Sequence, residues 1–161
     1  MEYVIVKASE EDRAGILSLY RAQLGRDCCP WDEDYPSNET IEWDLARNAL
    51  FVLKRNGSIL AAVSIEEDEE HELLFCRDNT PAPVGELARL AVLPDEQNRG
   101  LGRIMMRFGM DELKRQGFRS VRFLVNKNNA KAIRSYAVFG FRIAGECHMY
   151  DQDLFCYEKE L

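Results

Sequence analysis

Long apolar runs are missing from this chain: no stretch approaches the roughly 18 unbroken apolar residues that a membrane-crossing helix requires. The start, Met1-Glu2-Tyr3-Val4-Ile5-Val6-Lys7, has no basic segment leading into a long apolar one. A cytoplasmic protein without a membrane partner is therefore expected. Positive charge is in deficit, with 21 Lys and Arg against 28 Asp and Glu and a formal net charge of −7. That balance argues against a nucleic-acid partner, because grip on a phosphate backbone depends on clustered cations, and it favours cationic ligands. Histidine is scarce, with only His71 and His148, and the five cysteines (Cys28, Cys29, Cys76, Cys147 and Cys156) include no Cys-x-x-Cys pair. No metal site is expected from such spacing. Free thiols in a reducing compartment are the expectation, with Cys76, Cys147 and Cys156 as half-buried strand residues. Gly (ten) and Pro (five) are too few for a collagen-like or disordered chain beside 46% hydrophobic residues, and repeats, low-complexity tracts and linkers are absent.

The chain has 161 residues, 46% hydrophobic and 30% charged, the size and balance of a single domain, residues 1–161, able to bury a core. Residues 3–6 are β-prone, and Ser9 with Asp12 forms a weak capping box ahead of the helical stripe Ile16, Leu17, Leu19, Tyr20 and Leu24. After Gly25 comes an irregular stretch, residues 28–36, and then Ser37 as cap of a second helix with Ile41 and Leu45 inward. Strands over residues 50–54 and 58–65 flank Asn56-Gly57, a strong hairpin signal. The acidic residues 66–72 read either as a solvated loop or strand end, or as a lure for a positively charged substrate. A strand over residues 85–93 is closed by Pro94. The helix expected over residues 100–116 carries the stripe Leu101, Ile104, Met105, Phe108 and Leu113, an Asp111–Arg115 pair and Gly117 as its stop. A strand at residues 121–125 and a helix at 129–139 follow, with Ala132, Ile133 and Tyr136 on one side and Gly140 at its end. Strands at residues 141–149 and 154–159 enclose the turn Tyr150-Asp151-Gln152-Asp153. This order predicts an α/β (α+β) domain with a mixed, mostly antiparallel central sheet flanked by helices.

Chemistry concentrates in Leu90-Ala91-Val92-Leu93-Pro94-Asp95-Glu96-Gln97-Asn98-Arg99-Gly100-Leu101-Gly102, which runs from a strand into the first turn of the long helix. A helix start exposes backbone N–H groups and the positive end of the macrodipole, and glycines there let a phosphate approach closely. Walker P-loop spacing is not met, and Met105 stands where the dinucleotide fingerprint needs a third Gly or Ala. Gly-x-Gly before a helix also has a purely structural reading, tight helix–strand packing. The arrangement Gln97-x-x-Gly100-x-Gly102, after a Leu-x-Val-x-Pro strand, resembles the Gln/Arg-x-x-Gly-x-Gly/Ala signature of the GNAT N-acetyltransferase superfamily. A second block, Asn129-Ala130-Lys131-Ala132-Ile133-Arg134-Ser135-Tyr136 followed by Phe139-Gly140-Phe141, is similar to that family's Asn-x-x-Ala-x-x-x-Tyr block and its Gly-Phe.

The resemblance implies the GNAT fold and acetyl-CoA as cofactor, held where two parallel strands, residues 85–93 and 121–125, splay apart. The pantetheine arm would then hydrogen-bond a strand edge in the manner of an added strand. By resemblance, Ala91, Val92 and Leu93 make those contacts. The amides of Gln97, Asn98, Arg99, Gly100, Leu101 and Gly102 hold the pyrophosphate, and Asn129 meets the cofactor from the next helix. Tyr136 is implied as the general acid, since a phenol of pKa about 10 can protonate a leaving thiolate without being ionised at neutral pH. An amine of pKa about 10 arrives protonated and must lose that proton. One branch of the family uses a glutamate twelve residues before the tyrosine, where this chain has Leu124. Another has a glutamate on the strand leading into the phosphate loop, which matches Glu86. Glu86 as an exposed strand-end carboxylate is the alternative, with water, His148 or Tyr150 next in turn. Cys28, Cys29, Trp31, Tyr35, Glu39 and Trp43 fall where the family commonly forms the acceptor side; they either enclose an amine or pin a loop to the core. The expected activity is direct acetyl transfer to a primary amine, small-molecule or peptide and cationic, against the alternative of a non-catalytic acyl-CoA-binding sensor or interaction module. Pairing of two copies through the C-terminal strands stays open.

Overall fold

A computed structural model describes residues 2–67 and 81–161. The elements are β1 (Val4–Lys7), α1 (Arg13–Arg21) after a 3-10 turn at Glu10–Asp12, α2 (Asn38–Ala46), β2 (Leu50–Arg55), β3 (Ser58–Glu67) and β4 (Val84–Val92). A 3-10 turn at Pro94–Glu96 precedes α3 (Leu101–Arg115) and β5 (Ser120–Asn126). The chain closes with α4 (Ala130–Tyr136), a 3-10 turn at Ala137–Phe139, β6 (Arg142–Met149) and β7 (Gln152–Glu160). The strands form one sheet in the order β1-β2-β3-β4-β5-β7-β6. It is mixed and mostly antiparallel, as expected: β4–β5 is parallel, and β1–β2, β2–β3, β5–β7 and β6–β7 are antiparallel. No helix among the described residues is long and apolar enough to cross a membrane.

Local chemistry explains most boundaries. Ser37 caps α2, its Oγ accepting the Thr40 N–H at 3.4 Å while Thr40 Oγ1 accepts the Ser37 N–H at 3.1 Å. Asn56 (φ 52°) and Gly57 (φ 80°) supply the two left-handed residues of a tight hairpin turn, and Tyr150 (φ 55°) with Asp151 (φ 56°) do so between β6 and β7. Four expectations need correction. α1 ends at Arg21, which leaves Leu24 outside the helix, ahead of Gly25 at φ 78°. The helix expected over residues 129–139 tightens into a 3-10 turn after Tyr136. Arg115 pairs with Glu112 rather than Asp111, its Nε donating to Oε1 at 2.9 Å, because the i,i+3 geometry lets the fork of the guanidinium take both carboxylate oxygens. Cys156, fully buried on β7, is disulfide-bonded, whereas Cys28, Cys29 and half-buried Cys147 are in no disulfide; spacing along a chain does not tell which thiols a fold brings together. Of the acidic run, Glu66 and Glu67 finish β3, and its remainder, with His71, lies outside the described residues, as does Cys76.

Contacts gather in two units, Met1–Ser64 with Arg89–Met106, and Ile65–Ala88 with Arg107–Leu161. The first is centred on Ile16, Leu19, Tyr20, Ile41, Leu50, Val52, Ala62 and Ala91. There α1 lies close to β3, since a Cβ at Gly15 would sit 2.9 Å from Ile59 Cδ1. The second is built on Phe123, whose ring meets those of Tyr136, Phe141 and Tyr157 edge-on at 5.4, 4.9 and 5.4 Å. In this unit α3 lies tightly on β4: a Cβ at Gly85 would fall 2.5 Å from Leu113 Cδ2, and one at Gly109 2.5 Å from Leu87 Cδ2.

Candidate functional site

In the first unit the chain leaves β4 at Val92, turns through Pro94–Glu96, and passes Asn98 (φ 64°) and Gly100 (φ 81°) before α3 starts at Leu101. The Gly100 carbonyl accepts the Ile104 N–H at 3.1 Å, so the N–H groups of the first turn of α3 have no acceptor within the helix. A Cβ added at Gly100 or at Gly102 would meet nothing within 4 Å. Gly100 has a backbone reason to be glycine, its positive φ, but Gly102 has neither a positive φ nor a close neighbour. Open space above a turn of outward amides suits a phosphate. The tight-packing alternative thus fails at Gly100 and Gly102, and that role belongs to Gly85 and Gly109. Buried Glu96 braces the turn through ion pairs to Arg55 (2.5 Å) and Arg99 (3.2 Å). Arg26 donates to Gln97 Oε1 at 2.6 Å, and the Gln97 N–H reaches the Pro94 carbonyl at 3.3 Å.

The end of β4 is equally determined. Leu93 N–H donates to the Leu60 carbonyl of β3 at 2.9 Å, so by strand alternation the Ala91 and Leu93 backbone groups face β3 and those of Val92 face away. The Val92 carbonyl accepts Gln23 Nε2 at 3.0 Å. Its N–H is therefore the edge group this segment offers to a peptide-like ligand.

Three residues earlier, Arg89 holds φ 49° in the middle of β4. Its guanidinium donates Nε to Asp44 Oδ2 at 3.1 Å, Nη2 to Asp44 Oδ1 at 2.9 Å and Nη1 to the Tyr35 hydroxyl at 3.1 Å. Asp44 on α2 is fully buried, and also accepts Ser64 Oγ at 2.8 Å and Arg47 Nη2 at 2.5 Å. Beside it the buried Tyr20 hydroxyl makes no hydrogen bond of regular geometry, and burial pushes its phenol up despite the nearby Arg89 cation. Trp31 packs edge-on against Tyr20 (5.4 Å, 73°). Trp31 and Tyr35 thus pin the irregular loop. Trp43 is 63% exposed with the Arg47 guanidinium 5.2 Å over its ring, and Glu39, also on α2, is exposed.

In the second unit, parallel pairing of β4 with β5 covers Val84↔Ser120, Gly85↔Val121 and Glu86↔Arg122 and ends there. Glu86 is half-buried inside β4, not an exposed strand end. It stands in register with Arg122, which is in register with Glu158, which is in register with Arg142, so the four side chains share one face of the sheet. Arg122 and Glu158 are fully buried; Arg122 Nε donates to Glu158 Oε2 at 2.9 Å, and Arg142 donates to Oε1. Tyr136, the last residue of α4, is half-buried as a residue, yet burial pushes its phenol up to about 12. Asn129 caps α4, its Oδ1 accepting the Ala132 N–H at 3.1 Å, which leaves the amide NH2 as its available donor. His148 Nδ1 lies 2.9 Å from Asp153 Oδ1 on an exposed stretch, and Tyr150 is exposed. Among the described residues no cluster of His, Cys, Asp or Glu could hold a metal ion.

Gln23, Asp44 and Arg89 were not among the sequence candidates. Asp44 had a signal: three residues after Ile41, it is a charge on the inward face of α2. Gln23 and Arg89 had none, because each is defined by a partner far along the chain.

The sequence model of the acetyltransferase (GNAT) family matches residues 15–141. The [ribosomal protein bS18]-alanine N-acetyltransferase of Escherichia coli K12 is 30% identical over 128 residues, covering 79% of this chain and 74% of that protein. A mycothiol acetyltransferase of Frankia casuarinae is 37% identical over 65 residues, 40% of this chain. The chain spans only 18–28% of the mycothiol acetyltransferases it matches. Among solved structures, an N-acetyltransferase from Staphylococcus aureus Mu50 superposes with a TM-score of 0.78 at 21% identity over 99% of each chain. The PaiA N-acetyltransferase of Thermoplasma acidophilum in complex with coenzyme A gives 0.74 at 18% identity over 100% of each. At those identities the likeness is one of fold.

Proposed function

The chain belongs to the acetyltransferase (GNAT) family, and from that premise we propose that residues 1–161 act as one acetyl-CoA-dependent N-acetyltransferase domain that acetylates a primary amine directly. The observation that carries this reading is the open space at Gly102, where the chain itself gives no reason for glycine. Bound acetyl-CoA would supply an acyl group activated as a thioester. The amides of residues 98–102 receive its pyrophosphate, the Gln97 N–H being taken by the Pro94 carbonyl, the Val92 N–H between Ala91 and Leu93 receives a carbonyl of its amide-bearing arm, and the Asn129 NH2 donates to it from α4. Tyr136 keeps its proton at neutral pH and gives it to the sulfur as the C–S bond breaks. Glu86 takes the proton that the attacking ammonium must lose, directly or through water. The likeness to the bS18-alanine N-acetyltransferase, aligned over most of both chains, supports the amine of a polypeptide, and the net charge of −7 supports a cationic acceptor.

A thiol-release assay against a panel of small amines and basic peptides tests this, beside thermal stabilisation by CoA. Stabilisation without thiol release from any amine would assign a non-catalytic acyl-CoA sensor instead. Gly102→Asp, which fills the open space with a carboxylate, should abolish CoA binding; affinity within about twofold of wild type, ~0.4 kcal/mol, would overturn the phosphate-loop assignment. Glu86→Gln should slow the reaction most at neutral pH and recover at alkaline pH, where free amine is abundant.

A further inference from the structure

We propose that Asp44 and Arg89 form a positioning clamp that holds the left-handed backbone at Arg89, and through it sets which backbone groups at the end of β4 face the pantetheine arm of CoA. The inference rests on the acetyl-CoA reading above. A residue with a Cβ takes positive φ inside a strand only when its surroundings impose it. At Arg89 they do: three of its guanidinium nitrogens are engaged, two on Asp44 and one on Tyr35. Asp44 cannot move in response, since it is fully buried and further tied to Ser64 and Arg47. One residue out of β conformation shifts the two-residue alternation of everything after it. The orientation of Val92, with its carbonyl on Gln23 Nε2, and of Leu93, with its N–H on the Leu60 carbonyl, is thus the orientation that follows a bulge at residue 89. A regular strand there would turn the Val92 N–H toward β3. A buried ion pair is a poor device for stability alone, because a well-packed apolar pair often does as well; an Arg–carboxylate fork does fix geometry.

Three variants separate this from a merely structural role: Arg89→Ala, Arg89→Gly and the near-isosteric Asp44→Asn, each checked for folding by near-ultraviolet circular dichroism and measured for CoA by calorimetry. Arg89→Ala removes the clamp and disfavours positive φ, and should weaken CoA binding about tenfold, ~1.4 kcal/mol. Arg89→Gly removes the same guanidinium but accepts positive φ, and should stay within about threefold of wild type. In steady state the loss should appear in the KM for acetyl-CoA and leave the KM for the amine unchanged. Should both Arg89 variants unfold, Asp44→Asn carries the test, with a loss of about threefold or more in CoA affinity expected. Unchanged affinity in Arg89→Ala, or an equal loss in Ala and Gly, would overturn the clamp while leaving the function intact. Wild type that does not bind CoA would overturn both.

Discussion

The two units each bury an ionic cluster, and the two clusters sit on opposite kinds of backbone. In the second unit Glu86, Arg122, Glu158 and Arg142 stand in register across four neighbouring strands. The cluster is a row of alternating charge that the sheet register already aligns, so its ion pairs hold the strands the hydrogen bonds hold. In the first unit Asp44 gathers Arg47, Ser64 and Arg89 from a helix, a strand and the left-handed residue of β4. No regular ladder aligns those groups; the cluster enforces a backbone that local preference resists. Charges laid along the register support the sheet, whereas the charges gathered around Arg89 hold a left-handed residue inside a strand.

The largest expected effect lies in the regular cluster. Glu158→Ala leaves Arg122 buried without its carboxylate and should cost about 3–5 kcal/mol in urea unfolding, with CoA affinity of the folded protein unchanged. A fall in CoA affinity like that of Arg89→Ala would break the distinction. Tyr136→Phe probes the second unit without touching its packing: kcat should drop about 100-fold, ~2.7 kcal/mol, with stability and CoA affinity nearly unchanged. Because burial pushes the Tyr136 phenol up to about 12, the acid stays protonated throughout the workable range, and no falling limb due to it should appear in kcat up to about pH 10. A limb that vanishes in Tyr136→Phe would show a far lower phenol pKa. The two kinds of glycine sharpen the contrast on a smaller scale. Gly109→Ala drives a Cβ into Leu87 and should lose about 1–3 kcal/mol of stability. Gly102→Ala, with open space and a helical position, should gain about 0.5–1 kcal/mol without ligand and yet weaken CoA, which calorimetry beside urea unfolding would reveal. Last comes Asp12, linked to Lys54 at 2.7 Å and to the Ser9 N–H at 2.9 Å. Burial alone would raise its pKa, but those partners hold it below the ordinary carboxylate value. Its contribution is therefore present above the unfolded pKa of about 4 and lost as pH falls through the lower folded one. Asp12→Asn should flatten that part of the acid limb by about 1 kcal/mol or less.

Much of this protein was legible in its residues alone because the rules involved act over a few atoms of neighbouring chain. Ser37 and Thr40 cap a helix through contacts three residues apart. Asn56-Gly57 closes a hairpin because both accept positive φ. The spacing of Gln97, Gly100 and Gly102, with the block ending at Tyr136, carried the family through resemblance. Tertiary structure decided the rest. It separated glycines that admit a helix, Gly85 and Gly109, from glycines that leave space, Gly100 and Gly102. It moved Glu86 from a solvated strand end into an in-register row of charges, put Cys156 into a disulfide, and joined Arg89 to Asp44 and Gln23 to Val92. These pairings link α2 and the turn that follows α1 to the end of β4. A guanidinium or an amide can meet many acceptors with nearly equal energy, and chain folding alone selects which acceptor lies within reach.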